Sequence, residues 1–220
     1  QHMINAAEPI DNATIGAFYE TFKPYGLTKS EVVVPTYGLA EHTVFVCSGG
    51  KQSVVVNKDL LEKGIVQVVS VSTSLDQLPV VAPHTTCIVG CGYPGKGEGV
   101  QVLIVNATTK EMCADDQVRT GTSGISALNR LLNLICASSA CVFALQVGEI
   151  WVSSPSKAKG YWNNVALSEL DFHAVVTQGP PDSPGERPPL AIGGYLRTGD
   201  LGFMYQSELF IRGRDKDLII

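Results

Sequence analysis

The sequence has no apolar run long enough to cross a bilayer and no cluster of Lys and Arg residues. Its most apolar stretch, residues 131–145, is shorter than the roughly 20 residues of a membrane-spanning helix, and Asn133 interrupts it. The 220 residues include 16 Lys and Arg against 21 Asp and Glu, which gives a net charge of −5. An acidic chain without a basic patch is not expected to bind nucleic acid or anionic membrane surfaces. We therefore expect neither a nucleic-acid partner nor insertion into a membrane.

Cysteine is present, but not at the spacing of a complete metal site. Cys87 and Cys91 are compatible with half of one, yet no second Cys or His pair follows at ligand spacing. A chain of this length also does not need disulfide bonds. We favour free or buried thiols in a reducing, cytoplasmic setting. The six cysteines are Cys47, Cys87, Cys91, Cys113, Cys136 and Cys141.

Both ends of the sequence interrupt strand-like segments. Residues 1–5 carry no secretory signal and resemble the middle of a strand, and the sequence stops within the apolar run Leu218, Ile219 and Ile220. We expect the chain to be a fragment of a longer protein.

The first part of the chain has the pattern of an α/β sheet. A helix is predicted to begin at Asp11 or Asn12 and to end at Pro24. The β-branched segment 31–35 predicts a strand, and residues 36–43 a loop at its carboxyl end, where α/β sheets bind ligands.

Later segments are mostly β. A helical turn is predicted at residues 57–63. Further strands are predicted at 44–47, 65–71, 86–89, 100–105, 148–153, 195–197 and 208–212. The predicted fold class is therefore α/β, with an α/β sheet portion followed by a small β-barrel-like subdomain.

Residues 118–146 do not fit this pattern. Their composition shifts to Ser, Ala, Leu and Cys, and their removal would join Gln117 directly to Val147 ahead of a strand. An inserted helix, a partner-binding element and a translated intron are all compatible with this segment. We favour the intron, because Val codons begin with GT and a Gln codon can end in AG.

Two polar residues near the end of the sequence form a candidate ligand site. Asp200 follows a predicted Thr198-Gly199 turn, and Gly213 with Arg214 opens a second predicted corner. A carboxylate accepts hydrogen bonds from two hydroxyls, and a guanidinium forks onto phosphate or ribose oxygens. The pair suits a nucleoside monophosphate; the alternative is two ordinary turns with solvated charges.

Two earlier segments add an aromatic face and acids. Asn-Ala-Ala-Glu-Pro at residues 5–9 places small residues where a flat ring can lie. Tyr37 is suited to stacking on adenine, and Glu41 to supplying an oxygen ligand to Mg²⁺. The alternative is a half-buried core tyrosine and a solvated loop acid.

Taken together, these segments resemble motifs of the adenylate-forming enzymes. Arg-Thr-Gly-Asp-Leu-Gly (197–202) and Gly-Arg-Asp-Lys-Asp-Leu-Ile (213–219) resemble the ribose-binding and hinge motifs, and Tyr-Gly-Leu-Ala-Glu-His (37–42) an adenine-side motif. Within the superfamily the alternatives are the fatty acyl-AMP ligase branch and the acyl-CoA synthetases. The chain resembles the fatty acyl-AMP ligases more, because of Ala-Glu-Pro at residues 7–9 and the long interval between His42 and Gly90. The eukaryotic disco-interacting proteins carry related domains.

The resemblance implies the latter part of a large N-terminal domain and an ATP- and Mg²⁺-dependent reaction. A fatty acid would be activated as acyl-adenylate, with release of pyrophosphate, and passed to a carrier protein or another acceptor rather than to coenzyme A. The implied domains are residues 1–90, residues 91–212, and a hinge with the start of a C-terminal domain at 213–220.

The resemblance also assigns roles to residues. Glu41 and Arg214 would be catalytic, Glu41 would bind the metal, and Lys216 would lie at the hinge. Nucleotide binding is assigned to Ala6, Ala7, Glu8, Tyr37, Gly38, Asp200 and Arg214.

The sequence departs from the family pattern in two places. It contains neither the Ser/Thr/Gly-rich phosphate loop ending in Lys nor the C-terminal domain with the adenylation Lys. We therefore expect the chain alone to form no acyl-adenylate. A ligase-like domain that binds lipid or nucleotide without turnover, and a structural α/β fragment with coincidental motifs, are the other hypotheses.

Overall fold

The computed structural model describes residues 2–27, 32–77, 79–95, 99–113, 145–177 and 194–214. The helices and strands of these ranges are β1 (Met3–Asn5), α1 (Asn12–Phe22), β2 (Val33–Leu39), β3 (Val44–Ser48), β4 (Ser53–Asn57), α2 (Lys58–Glu62), β5 (Ile65–Val66), β6 (Val68–Ser72), β7 (Thr85–Val89), β8 (Gln101–Val105), β9 (Leu145–Gln146), β10 (Gly148–Ser153), α3 (Val165–Phe172), β11 (Leu196–Tyr205) and β12 (Glu208–Arg214). Single turns of 3-10 helix, Lys23–Tyr25 and Ala40–His42, follow α1 and β2.

Helix α1 begins and ends where the sequence predicts. Asp11 caps it: Oδ2 accepts a hydrogen bond from the amide of Thr14 at 2.8 Å, and Oδ1 one from the amide of Ala13 at 3.3 Å. The hydrogen bond from the Thr14 hydroxyl, with the amide bonds, lowers the pKa of the Asp11 carboxyl. Pro24 then lies in a 3-10 turn that Gly26 ends at φ +94°. Local capping chemistry therefore determines both ends of this helix.

The described strands form open sheets and no closed barrel. Three strands pair in the order β1-β2-β3, three in the order β6-β4-β7, two as β5-β9 and four in the order β12-β11-β10-β8. Strands β1 and β2 are parallel, and the other pairs are antiparallel. This mixed arrangement confirms the predicted fold class, although the barrel-like portion is an open four-stranded sheet within the described residues.

Strand β12 joins the sheets of the two halves. Phe210 bridges to Gly90, the amide of Cys91 donates to the Leu209 carbonyl at 2.8 Å, and the amide of Leu209 donates to the Gly92 carbonyl at 2.9 Å. The hairpin β11–β12 is thereby held against the first half of the chain. This contact brings strand β12 beside strand β2, where Leu209 and Tyr37 share a core cluster.

The loop predicted at residues 36–43 is wrong for its first half. Strand β2 continues through Leu39, because Thr36 pairs with Ser48 and Leu39 with Val44 across an antiparallel ladder. Only the 3-10 turn Ala40–His42 and Thr43 leave the sheet. Pairing with β3, which local sequence does not encode, extends the strand.

The two turns predicted around Asp200 and Arg214 are also wrong, because both residues lie within strands. Strand β11 runs from Leu196 to Tyr205 and β12 from Glu208 to Arg214. The turn between them is at Gln206 and Ser207, which have φ of 49° and 63°. Two consecutive positive φ angles match the type I′ turn, whose twist suits a hairpin.

The sequence-based prediction does not include strand β4, and it gives residues 65–71 as one strand where the structure has two. Val54, Val55 and Val56 lie in β4 and are at most 1% exposed, because the strand is central in its sheet. The predicted strand 65–71 divides into β5, which pairs with β9, and β6, which pairs with β4.

Most of the segment 118–146 lies outside the described residues. Its last two residues form β9, where Leu145 is 3% exposed and packs in a core cluster with Val66. The proposal of an insertion or translated intron stays a prediction.

Candidate functional site

Asp200 is the meeting point of three chain segments. The Tyr37 hydroxyl donates a hydrogen bond of 2.6 Å to its Oδ2, from 163 positions away in sequence. Arg214 lies opposite Asp200 in the β11–β12 ladder, with Nε 3.3 Å from Oδ1. The structure thus brings together three of the predicted nucleotide-binding residues, Tyr37, Asp200 and Arg214.

The electrostatics of this cluster differ between its two hydrogen-bond donors. Burial, followed by the charge of Asp200 and the hydrogen bond to it, raises the pKa of the Tyr37 phenol well above its usual range. The phenol is therefore protonated at neutral pH and serves as a donor. The Arg214 side chain is 69% exposed and contributes little to stability through this pair. Its guanidinium is accessible to an anionic ligand.

A β-bulge orients the Asp200 carboxylate. Opposite Ile150, strand β11 accommodates Thr198, Gly199 and Asp200, and Gly199 has φ +71°. The Thr198 hydroxyl donates to the Ile150 carbonyl at 2.7 Å and accepts from the amide of Asp200 at 3.1 Å. Bulges redirect side chains in this way beside functional sites.

A buried ion pair supports the bulge from behind. Glu149 accepts a hydrogen bond from the Gly199 amide at 3.2 Å and pairs with Arg197, whose Nη2 lies 3.0 Å from Oε2. The Trp151 indole also donates to Oε2, at 3.0 Å. The two charged side chains are only 5% and 23% exposed. Each carboxylate oxygen is therefore satisfied in a largely dry environment.

The remaining adenine-side candidates lie at the adjacent strand end. Ala6, Ala7 and Glu8 are exposed and follow β1, which pairs in parallel with β2 so that Asn5 lies opposite Pro35. Ala7 has φ +78°, a conformation that non-glycine residues rarely adopt. These residues therefore leave the sheet at the same end of the strands as Tyr37.

Gly38 has a packing role. A Cβ atom at this position would lie 1.5 Å from the Val44 carbonyl oxygen. Strand β3 approaches so closely at the bulge between Tyr37 and Gly38 that the residue at position 38 cannot carry a side chain.

Glu41 belongs to a second cluster. It lies half-buried in the 3-10 turn Ala40–His42, and its Oε1 accepts a hydrogen bond of 3.2 Å from the Tyr161 hydroxyl. Burial, followed by the charge of Glu41, raises the pKa of the Tyr161 phenol to about 12. Tyr161 is thus a donor at neutral pH. Lys216, the predicted hinge residue, lies outside the described residues.

The structure places His42, the last residue of the Tyr-Gly-Leu-Ala-Glu-His motif, at this cluster. The ring is 1% exposed, with Nδ1 2.7 Å from the Phe45 carbonyl oxygen and Nε2 2.5 Å from Ser154 Oγ. Because a carbonyl oxygen only accepts, Nδ1 carries the proton and the Ser154 hydroxyl donates to Nε2. Burial lowers the pKa of His42, so the ring is neutral at neutral pH.

Sequence reasoning gave no role to Glu149 and Tyr161, and it used Arg197 only as the first residue of the Arg-Thr-Gly-Asp-Leu-Gly motif. A charged residue inside an otherwise apolar strand was the available signal for Glu149.

No described group of three or more His, Cys, Asp or Glu residues is arranged to bind a metal. None of the described helices combines the length and the hydrophobicity that crossing a bilayer requires.

The chain has relatives among known proteins over almost its whole length. No protein-family model matches the chain. The chain is 35% identical to the medium-chain-fatty-acid–[acyl-carrier-protein] ligase JamA of Moorena producens and 32% identical to a 4-hydroxyphenylalkanoate adenylyltransferase of Mycobacterium marinum. In each case 98% of the chain is covered, with 29% and 28% of the respective relative.

A solved structure shows the same fold. The chain is 29% identical to a fatty acyl-adenylate ligase from Legionella pneumophila that was crystallised with acyl adenylate and pyrophosphate. The TM-score is 0.66, over 99% of this chain and 29% of that one. The chain thus spans less than a third of the length of the relatives it matches. The 35% identity to JamA over 98% of the chain, with this shared fold, shows that the chain belongs to the fatty acyl-AMP ligase branch of the adenylate-forming superfamily.

Proposed function

We propose that the full-length protein containing this chain activates a fatty acid as its adenylate. A carboxylate oxygen of the fatty acid attacks the α-phosphorus of ATP, the bond from that phosphorus to the bridging oxygen breaks, and pyrophosphate leaves. The acyl group then passes to a carrier protein or another acceptor rather than to coenzyme A, as the name of JamA supports. The observation that carries this proposal is the convergence of Tyr37, Asp200 and Arg214.

In this proposal the residues act by positioning and by stabilising charge. Asp200 accepts hydrogen bonds from the ribose hydroxyls, and Arg214 reaches ribose or phosphate oxygens. Tyr37 orients Asp200 through its hydroxyl; its ring is 8% exposed and packs in a core cluster, so the stacking of adenine on it stays a prediction. The adenine is bordered by Ala6, Ala7, Glu8 and Gly38. Lys216 is the hinge residue.

Magnesium fits the Glu41 cluster as a metal carried by the nucleotide. Mg²⁺ binds through one or two carboxylates together with phosphates and waters, and the half-buried Glu41 has one oxygen engaged by Tyr161. Glu41 would hold the ion, which when bound neutralises phosphate charge. The described residues supply no all-protein cage.

We also propose that the chain divides into three parts, residues 1–90, 91–212 and 213–220.

We further propose a cytoplasmic location for the protein. The location is supported by Cys47, Cys87, Cys91 and Cys113, which are free thiols. Burial raises the pKa of each of them, so they remain protonated at neutral pH.

The proposed activity is tested by incubating the full-length protein with ATP, Mg²⁺ and fatty acids of increasing chain length. We expect pyrophosphate release and a fatty acyl-adenylate detectable by mass spectrometry, followed by acylation of a carrier protein in preference to coenzyme A. Binding of ATP or fatty acid without any adenylate would contradict the proposal and favour a binding domain. Efficient formation of acyl-CoA would favour an acyl-CoA synthetase.

Replacing Tyr37 with Phe separates two roles of this residue. The variant keeps the aromatic ring but removes the hydroxyl that holds Asp200, so we expect KM for ATP to rise by roughly two- to tenfold, the effect of one lost hydrogen bond. Steady-state pyrophosphate release measures this. A KM equal to that of the wild type would show that Tyr37 contributes through its ring alone.

A further inference from the structure

We propose that Tyr161 positions the Glu41 carboxylate, and that residues 154–161 hold the turn that carries Glu41. Tyr161 is a positioning residue, since it acts on the nucleotide only through Glu41. This inference rests on the proposed function, in which Glu41 faces the metal that accompanies ATP.

Two contacts join the 154–161 segment to Glu41 itself. The Tyr161 hydroxyl donates to Oε1 at 3.2 Å, across 120 positions of sequence, and the amide of Ala158 donates to the Glu41 carbonyl at 2.8 Å. One bond orients the side chain and the other the backbone. Oε1 is thereby engaged by Tyr161, and in the proposed site Oε2 is the oxygen that binds the metal.

Two more contacts hold the residues that follow Glu41. The Ser154 hydroxyl donates to the buried Nε2 of His42 at 2.5 Å, and the Thr43 hydroxyl donates to the Ser156 carbonyl at 2.8 Å. Every residue from Glu41 to Thr43 is therefore hydrogen-bonded to the 154–161 segment.

The turn needs this support because the backbone that leaves it for strand β3 is strained. Thr43 and Val44 have φ of 56° and 80°, and a positive φ is especially unfavourable for β-branched side chains. Such conformations cost roughly 1–3 kcal/mol each and persist only where surrounding contacts enforce them. Strain of this kind is concentrated at functional sites.

The Tyr161 side chain is itself fixed by helix α3. Its amide donates to Ser168 Oγ at 2.8 Å, and its ring packs edge-on against Phe172 with centroids 5.0 Å apart. Lys157 donates to the Phe172 carbonyl at 2.6 Å and fastens the same segment to the helix end. Tyr161 therefore presents its hydroxyl to Glu41 from a rigid support.

A fixed hydrogen bond to a metal-binding carboxylate has a known effect on affinity. Partners that orient a ligating group typically contribute about 10- to 100-fold in metal affinity. We expect the lower end here, because Glu41 is only half-buried.

The test measures binding rather than turnover. ATP is titrated into full-length protein by calorimetry over a range of Mg²⁺ concentrations and in EDTA. We expect Tyr161→Phe to weaken the apparent Mg²⁺ affinity of the ATP complex about tenfold while leaving ATP affinity in EDTA unchanged. Tyr195→Phe is the matched control, because its hydroxyl donates to Gln101 instead, at 3.3 Å.

Two further variants distinguish the failure of this inference from failure of the function itself. Glu41→Ala should lose the Mg²⁺ enhancement, and adding Tyr161→Phe to it should change nothing more. If Tyr161→Phe keeps the wild-type Mg²⁺ affinity while Glu41→Ala loses it, the role of Tyr161 is overturned and the metal assignment of Glu41 stands. If Glu41→Ala keeps the Mg²⁺ enhancement, the metal assignment is overturned as well.

Ser154→Ala, which removes the hydrogen bond to His42, should also weaken Mg²⁺ affinity and replaces Tyr161→Phe in the test if that variant unfolds.

Discussion

Replacing Asp200 with Ala is expected to lower kcat/KM for ATP by roughly 10²- to 10⁴-fold in the full-length protein. In the proposed site the carboxylate accepts hydrogen bonds from both ribose hydroxyls, and each bond to a charged group contributes about 1.5–3 kcal/mol. Steady-state pyrophosphate release at varied ATP concentration measures the effect.

The surroundings of Asp200 determine which controls are needed. Asp200 is 8% exposed, and its removal leaves the buried Tyr37 hydroxyl without its acceptor, which destabilises the fold as well as the site. Thermal unfolding of Asp200→Ala and of the double variant with Tyr37→Phe separates these two effects. Asp59→Ala, a change at an exposed carboxylate beside His84, is the control for removal of a negative charge. Activity of Asp200→Ala within threefold of the wild type would reject the ribose assignment.

Replacing Glu149 with Ala is expected to lower the free energy of unfolding by roughly 3–5 kcal/mol, the usual effect of removing one partner of a buried ion pair. The substitution leaves Arg197, the Trp151 indole and the Gly199 amide without their common acceptor. Urea-induced unfolding, followed by tryptophan fluorescence, measures the loss, because Trp151 is completely buried.

Two variants test this explanation. Glu149→Gln keeps the shape and one acceptor oxygen, so it should retain more stability than Glu149→Ala. Glu62→Ala changes an exposed acid at the end of helix α2 and should shift the free energy of unfolding by less than about 0.5 kcal/mol. A Glu149→Ala protein as stable as Glu62→Ala would show that the ion pair contributes nothing net. Because Gly199 precedes Asp200, we also expect Glu149→Ala to raise KM for ATP.

Features that depend on local chemistry could be predicted from the sequence. The start of helix α1 was predicted at Asp11 or Asn12 because either side chain can satisfy free amides where a helix begins, and its end at Pro24 because proline cannot continue a helix. The membership of the chain in its family was likewise readable from short motifs around Tyr37 and Asp200, since those residue types follow one another directly in the chain.

Features that depend on strand pairing could not be predicted. Residues 36–39 resembled a loop, and Thr198 with Gly199 a turn, because Gly and Thr in these contexts are common in both turns and bulges. The ladders with β3 and β10 determine that both segments are strands. Strand β4 was missed because a short apolar run has no periodicity when both of its faces are buried.

The sequence by itself determined the α/β class, the family, and the residue types that the candidate site contains. Only the tertiary structure decided their partners: Tyr37 donates to Asp200, Tyr161 donates to Glu41, and Glu149 supports the bulge before Asp200. The physical reason is distance along the chain. A motif is a property of neighbouring residues, whereas a hydrogen bond between residues 50 to 163 positions apart exists only after sheet register and helix packing have placed both atoms within about 3 Å.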